Sequence, residues 1–155
     1  MKAVLISINK PHTNNIFCGD KGVEWRKKPL PEGLYYVYET KNKGGCGMVI
    51  GEMQIVGSKA VDTSAPLVVG LINAGCVHPV ALKRYANNSI VYANFIKDAK
   101  RYENPRELSE FMQCHKCPHG DFQNCLQHEY SCDGTYRLTR PPQSWCYVEE
   151  VNHGK

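Results

Sequence analysis

Lys21, Glu24 and Arg26 place two cations and a carboxylate close together, directly after the end of a predicted helix. Pro11 in the first turn and Gly19 at the stop bracket this helix. If a strand follows, Lys21 lies on one face while Glu24 and Arg26 share the other, because side chains alternate along a strand. Such a passage from helix to strand can line a polar cleft. The competing interpretation is a solvated strand edge that carries an ion pair.

A second group of reactive side chains is a run of cysteines and histidines in the last third of the chain. Its four thiols are those of Cys114, Cys117, Cys125 and Cys132. They open with a Cys-x-x-Cys and could bind one zinc ion tetrahedrally, with His119 or His128 replacing one cysteine. Because four thiolates leave no open position, the pattern favours a structural zinc. The scattered cysteines elsewhere are expected to be small buried hydrophobes.

Length and composition agree with a single domain that needs no disulfide bonds. The chain has 155 residues, 42% of them hydrophobic, which is enough for an ordinary core. No apolar run approaches the ~20 residues that cross a bilayer, and Met1–Ile8 is typical of a first strand rather than a signal sequence. We therefore expect a cytoplasmic protein without a membrane partner, whose cysteines are reduced or metal-bound. The net charge of +4 permits a nucleic-acid partner without identifying one.

The remaining pattern alternates strands with short helices. Aromatic and β-branched runs predict strands over 34–40, 46–56 and 89–102. A Gly-rich hairpin joins the first two of these strands. Caps and first-turn prolines predict helices over about 10–18, 65–87 (as a pair) and 105–111.

A set of residues in the amino-terminal third stands in a recognisable order. They are Ser7-Ile8-Asn9-Lys10-Pro11, Ile16, Gly19, Lys21, Glu24 and Arg26. This order resembles the opening signature of the ASCH family, a branch of the PUA-like β-barrels. The resemblance continues through Tyr36–Thr40 and Gly51-Glu52, and Arg140–Val148 is similar to the closing strand of phage-type and bacterial members. Gly22 departs from it, because many relatives carry threonine there.

The resemblance implies an α+β fold in which a small mixed β-barrel of the PUA-like type carries peripheral helices. The Cys/His-rich stretch interrupts the resemblance, and its cysteine spacing predicts a zinc-stapled loop there. Residues 1–151 would form this single domain. The Cys/His-rich insertion would occupy about 112–134, and 152–155 would form a tail.

The resemblance also implies a cleft that binds RNA or a modified nucleoside, with a regulatory role among its uses. Lys21 and Arg26 would contact phosphate or a base edge, and Glu24 would accept hydrogen bonds from an exocyclic amine. Tyr38 could stack on a base, although packing in the core is the alternative. The nucleic-acid-binding candidates are Lys10, Lys21, Glu24, Arg26, Tyr38 and Lys41. A regulator whose zinc loop meets a protein partner is a further interpretation.

Hydrolysis is the alternative function. Some ASCH proteins are amidohydrolases on acetylated cytidine that use a lysine, a threonine and a glutamate, and others are ribonucleases that use a lysine, a tyrosine and a serine. The catalytic candidates for such roles are Lys21, Glu24, Tyr38, Glu52 and Ser144. The position that matches the amidohydrolase threonine is Glu24, which cannot act as a hydroxyl nucleophile. We therefore favour binding, with a hydrolase that uses Lys21 with Glu52, Tyr38 or Ser144 as the alternative.

Elemental analysis of the purified chain tests the zinc prediction. We expect about one zinc per chain. Cys117→Ser should release the metal because it removes one ligand of the Cys-x-x-Cys pair, while Cys46→Ser, outside the cluster, should leave the metal content unchanged. A wild-type chain that is purified without chelators and carries no metal would contradict this prediction.

Overall fold

The computed structural model describes residues 2–114 and 135–152. Its α-helices are α1 (His12–Phe17), α2 (Val69–Gly75) and α3 (Pro79–Tyr85). Its strands are β1 (Lys2–Ile8), β2 (Val23–Arg26), β3 (Gly33–Glu39), β4 (Met48–Asp62), β5 (Ile90–Arg106), β6 (Met112–Cys114), β7 (Thr135–Arg137) and β8 (Trp145–Glu149). Single 3-10 turns lie at Asn42–Gly44 and Leu108–Glu110. Within these ranges, no helix has the length and apolar character needed to cross a membrane.

The strands form one eight-stranded sheet in the order β2-β5-β4-β3-β1-β8-β6-β7. Only β1 and β3 run parallel, and the other described pairs are antiparallel. The α+β class is confirmed, but the closed barrel is wrong. Among the described strands, no backbone ladder joins the two edges, β2 and β7. A side chain spans the gap beside β2 instead, because Arg26 reaches the backbone carbonyl of Ser7 on β1.

Three apolar clusters hold the sheet and helices together. The alternation along β3 divides its residues between two of them, because Tyr35 and Val37 enter one cluster while Tyr36 and Tyr38 enter the other. The third cluster packs α2 and α3 against β2 and β5. Its buried members include Val23, Trp25, Ile72, Leu82 and Val91. The helix pair is therefore fixed beside β2, the strand that carries the charged motif.

Most of the predicted elements are confirmed, but the helix over 105–111 is wrong. The structure continues β5 to Arg106 and then forms only the 3-10 turn. Asn104 precedes a proline, and a residue in that position is biased toward extended conformations rather than the helical region. The N-terminal cap belongs to this 3-10 turn and not to a helix that begins at Asn104. There the Glu110 carboxylate accepts a hydrogen bond from the Glu107 backbone N–H at 2.7 Å.

The predicted zinc ligands Cys117, Cys125 and Cys132 lie outside the described residues, and Cys114 is described only in its backbone. β6 belongs to the sheet and pairs with β7 at Cys114↔Thr135, so the chain enters and leaves 115–134 at neighbouring positions. In the part of the chain that is described, no group of three or more His, Cys, Asp or Glu residues could hold a metal ion. The zinc site stays a prediction.

The scattered cysteines are less buried than expected. The thiols of Cys18 and Cys46 belong to exposed residues, and Cys76 and Cys146 are half-buried. The expectation of buried hydrophobes is therefore wrong for them. Cys146 lies in β8 and packs against one apolar cluster from its edge.

Gly75 at the end of α2 lets the helix approach β2. A Cβ added there would lie 1.9 Å from Nε1 of Trp25. We expect Gly75→Ala to lower the free energy of unfolding by about 1–3 kcal/mol, because the helix must move away from the indole. Gly70→Ala in the same helix is the matched control, since a Cβ there meets no atom within 4 Å.

Urea unfolding of both variants gives the comparison. Gly70→Ala should stabilise the protein by up to about 1 kcal/mol through helix propensity. Equal stabilities for the two variants would show that the close approach of α2 to β2 does not constrain the fold.

Candidate functional site

A cavity of about 1010 Å³ opens beside the free edge of β2. Its walls come from the end of β1, the first residue of α1, the turn after β3, α3 and the loop before β8. These segments are distant in sequence, and the open gap of the sheet brings them together. We call this cavity the cleft.

The Glu24 carboxylate lies at the centre of the polar wall of the cleft. Glu24 is only 8% exposed. Its Oε1 accepts from Nε of Arg26 at 3.1 Å, and its Oε2 lies 3.7 Å from Nζ of Lys21. The buried amide of Asn94 also donates to the Glu24 backbone carbonyl at 3.0 Å. A nearly buried carboxylate requires cationic partners such as Lys21 and Arg26, because its loss of hydration is costly.

Lys21 is held by the protein on both sides of its ammonium group. The residue is 3% exposed, and its Nζ donates to the Gly75 carbonyl at 2.6 Å. Burial lowers the pKa of Lys21, and the Glu24 carboxylate opposes this effect. The expectation that Lys21 and Glu24 occupy opposite faces is wrong, because Lys21 lies in the turn before β2, where strand alternation does not apply.

Arg26 connects β2 to the opposite side of the cleft. Its Nη2 donates to the Ser7 carbonyl of β1, and its Nη1 donates to Oγ of Ser144, each at 3.1 Å. With the bond to Glu24, the guanidinium serves three acceptors. The structure therefore brings together four of the predicted site residues. They are Lys21, Glu24, Arg26 and Ser144.

The other predicted residues lie in different environments. Tyr38 lines the cleft but is 4% exposed, and burial raises its pKa. Its ring packs in an apolar cluster, as the alternative interpretation had it. Lys41 lines the cleft and is exposed, whereas Lys10 is half-buried and does not line it. Glu52 also lies away from the cleft, where Tyr102 donates to its Oε2 at 2.9 Å.

His12 and Tyr85 are among the cleft residues that sequence reasoning missed. Nδ1 of His12 is buried without a hydrogen-bond partner, and burial, followed by the Lys21 charge, lowers the pKa of the imidazole. Tyr85 is 42% exposed, and Nζ of Lys27 lies 5.2 Å from its ring centroid. His12 follows Pro11 in the signature order, which was the available signal. For Tyr85, no local sequence pattern indicates which face of α3 packs toward β2.

No known family profile and no curated protein matches the chain. Solved structures do match it. The ASCH protein from Zymomonas mobilis has 18% identity and a TM-score of 0.62, over 96% of this chain and 88% of that one. Its serine-to-alanine variant has 17% identity and a TM-score of 0.63, over 96% of this chain and 89% of that one. Its tyrosine-to-phenylalanine variant has 18% identity and a TM-score of 0.62, over 97% of this chain and 92% of that one. This likeness confirms that the chain has the fold of these ASCH proteins.

The buried ammonium of Lys21 makes a testable contribution to stability. We expect Lys21→Met to lower the free energy of unfolding by about 1–3 kcal/mol at neutral pH, because the Gly75 carbonyl and Glu24 lose a donor. Lys27→Met is the control, since Lys27 is exposed. Unchanged unfolding midpoints for Lys21→Met would contradict this role.

The pH dependence of the same pair of proteins gives a second measurement. The Lys21 pKa is lowered from its ordinary value of 10.5, so the unfolded chain binds more protons as the pH approaches that value. Stability of the wild type should therefore rise with pH in this window relative to Lys21→Met. A constant difference between the two proteins would mean that the lysine titrates normally.

Proposed function

We propose that this ASCH-type fold uses its cleft to bind RNA or a modified nucleoside, and that Glu24 reads the base. The observation that carries the proposal is a carboxylate fixed by two cations on the wall of an open cleft. Such a group presents acceptor lone pairs in a defined direction. Exocyclic amines and ring N–H groups of bases are donors that suit it.

The size and lining of the cleft fit a nucleotide. Its volume of about 1010 Å³ lies at the upper end of ordinary ligand pockets. Tyr85 offers an exposed aromatic ring at its wall, on which a base could stack. This residue takes the stacking role that the sequence assigned to Tyr38, whose ring is buried.

The cations divide into two groups with different roles. Lys21 and Arg26 donate to protein acceptors, and we assign them the task of positioning Glu24. Lys41 is exposed at the cleft and is the better candidate for a phosphate contact. Lys10 is half-buried outside the lining and would act only along an extended strand of RNA. Single-stranded RNA is favoured over duplex, because its base edges are accessible.

A small hydrolase that acts on nucleosides or RNA is the second candidate. Burial lowers the pKa of Lys21 inside a cleft, and groups perturbed in this way are common at catalytic sites. Ser144 lies nearby through Arg26, and Tyr38 lines the cleft. Glu52 bonds to Tyr102 elsewhere, so a pairing of Lys21 with Glu52 would need a rearrangement. Binding without turnover remains the proposal.

Titration with short single-stranded RNAs of one base type tests the proposal. Glu24→Gln should shift base preference by about 1–3 kcal/mol, because the amide replaces one acceptor by a donor. Lys41→Ala is the matched comparison. It should weaken binding to all sequences alike and reduce the salt dependence by about one phosphate contact.

The outcomes separate the candidates. Unchanged base preference in Glu24→Gln would place the reading site elsewhere. Product formation over several turnovers by the wild type, lost in Lys21→Ala, would favour the hydrolase. Glu32→Gln, at an exposed site, controls for the loss of one negative charge.

A further inference from the structure

Three buried side-chain nitrogens in the described chain have no hydrogen-bond partner, namely Nδ1 of His12, Nε1 of Trp25 and Nη1 of Arg106. Buried polar atoms are nearly always paired, so each exception needs an explanation. Trp25 directs Nε1 toward the backbone of Gly75, where α2 packs closely. Arg106 lies over the Phe111 ring and pairs with Glu110 through Nε. Nδ1 of His12, which lines the cleft, is explained neither by close backbone packing nor by an ion pair elsewhere on the same side chain.

The first turn of α1 holds His12 in place. Next to it, Oγ1 of Thr13 donates to the buried Glu39 carboxylate at 2.6 Å, and the Thr13 backbone N–H donates to the Asn9 carbonyl at 3.3 Å. These bonds tie the helix start to β3 and to the end of β1. The imidazole is therefore presented to the cleft from a fixed backbone.

The charges that face the imidazole favour its neutral form. Burial lowers its pKa first, the cations Lys21, Lys43 and Arg26 lower it further, and Glu24 opposes them. A neutral imidazole has one N–H donor and one acceptor nitrogen. The neutral ring therefore keeps one nitrogen that can accept a hydrogen bond, and Nδ1, which has no partner among the described residues, is available for that role.

Resting on the proposed function, we propose that His12 is a specificity-determining residue whose Nδ1 accepts a hydrogen bond from the bound base, next to the one that Glu24 accepts. Two neighbouring acceptors select a base edge with two neighbouring donors. Guanine has such an edge, with its ring N–H beside its exocyclic amine. Adenine and cytosine place an amine beside an acceptor, and uracil places its single N–H between two carbonyls.

Contact between Nδ1 and a ligand requires the imidazole ring to turn. Nδ1 is buried, but the Cβ–Cγ torsion of histidine is broad and roughly two-fold. Rotation exchanges the positions of the ring atoms without moving the helix. A buried nitrogen that lacks a partner gains one on binding, so the ligand removes a cost that the free protein carries.

Calorimetric titration with GMP, AMP, CMP and UMP tests the proposal, because the four share their phosphate and differ only in the base. We expect the wild type to bind GMP most tightly. His12→Asn keeps a polar atom near the position of Nδ1 and should retain this preference. His12→Gln places its amide near Nε2 instead, and His12→Phe has no polar atom, so both should lose about fivefold in the preference for GMP over UMP.

The pH dependence of the affinity for GMP distinguishes a hydrogen bond to the ligand from a purely structural role of His12. Wild-type affinity for GMP should fall as the pH decreases below 6.5, the ordinary histidine value, because protonation removes the acceptor. His12→Asn should not show this fall. Thermal melting of each variant verifies that the protein is folded.

Each outcome supports or overturns a specific statement. If His12→Gln and His12→Phe bind all four nucleotides like the wild type, or lose affinity equally for all four, the inference is overturned while the cleft still binds nucleotides. A preference for CMP or AMP that depends on His12 also overturns it, because Nδ1 would then be a donor. Failure of the wild type to bind both these nucleotides and the short single-stranded RNAs would overturn the proposed function itself.

Discussion

The structure depends on one requirement, that the nearly buried Glu24 carboxylate be matched by two cations. Lys21 and Arg26 meet this requirement, and each is fixed by further acceptors. Lys21 reaches the end of α2 through Gly75, and Arg26 reaches β1 through Ser7. Because a buried charge is costly without such partners, the ion cluster fixes the relative positions of these segments. The cleft is the space that they enclose.

The open sheet and the ion cluster are two aspects of the same arrangement. β2 forms a backbone ladder only with β5, so its other edge is left without a neighbouring strand among the described residues. Arg26 bridges this gap with its side chain. A closed ladder would fill the space with main chain, whereas a side-chain bridge leaves room for a ligand. The Glu24 carboxylate then presents acceptors to the cleft, while Lys21 and Arg26 already donate to acceptors of the protein.

Local patterns in the sequence predicted the strands, the helix pair and the charged motif, because each rests on periodicity or on caps. They did not predict what depends on long-range packing. The openness of the sheet follows from strand order, and the meeting of Lys21 with Glu24 follows from a turn anchored to α1 and α2. His12 and Tyr85 were missed because their role appears only when α1 and α3 face the same cavity. Glu52 matched the family order but lies away from the cleft.

The central claim is that Glu24, held by its two cations, is the base-reading acceptor of the cleft. Backbone amide chemical shifts, recorded while each of the four nucleoside monophosphates is added, test it most directly. The account predicts that the largest shifts lie in β2 and at the start of α1, and that their pattern changes with the base. Shifts confined to the distal part of the β4–β5 pair, or an identical pattern for all four bases, would contradict it.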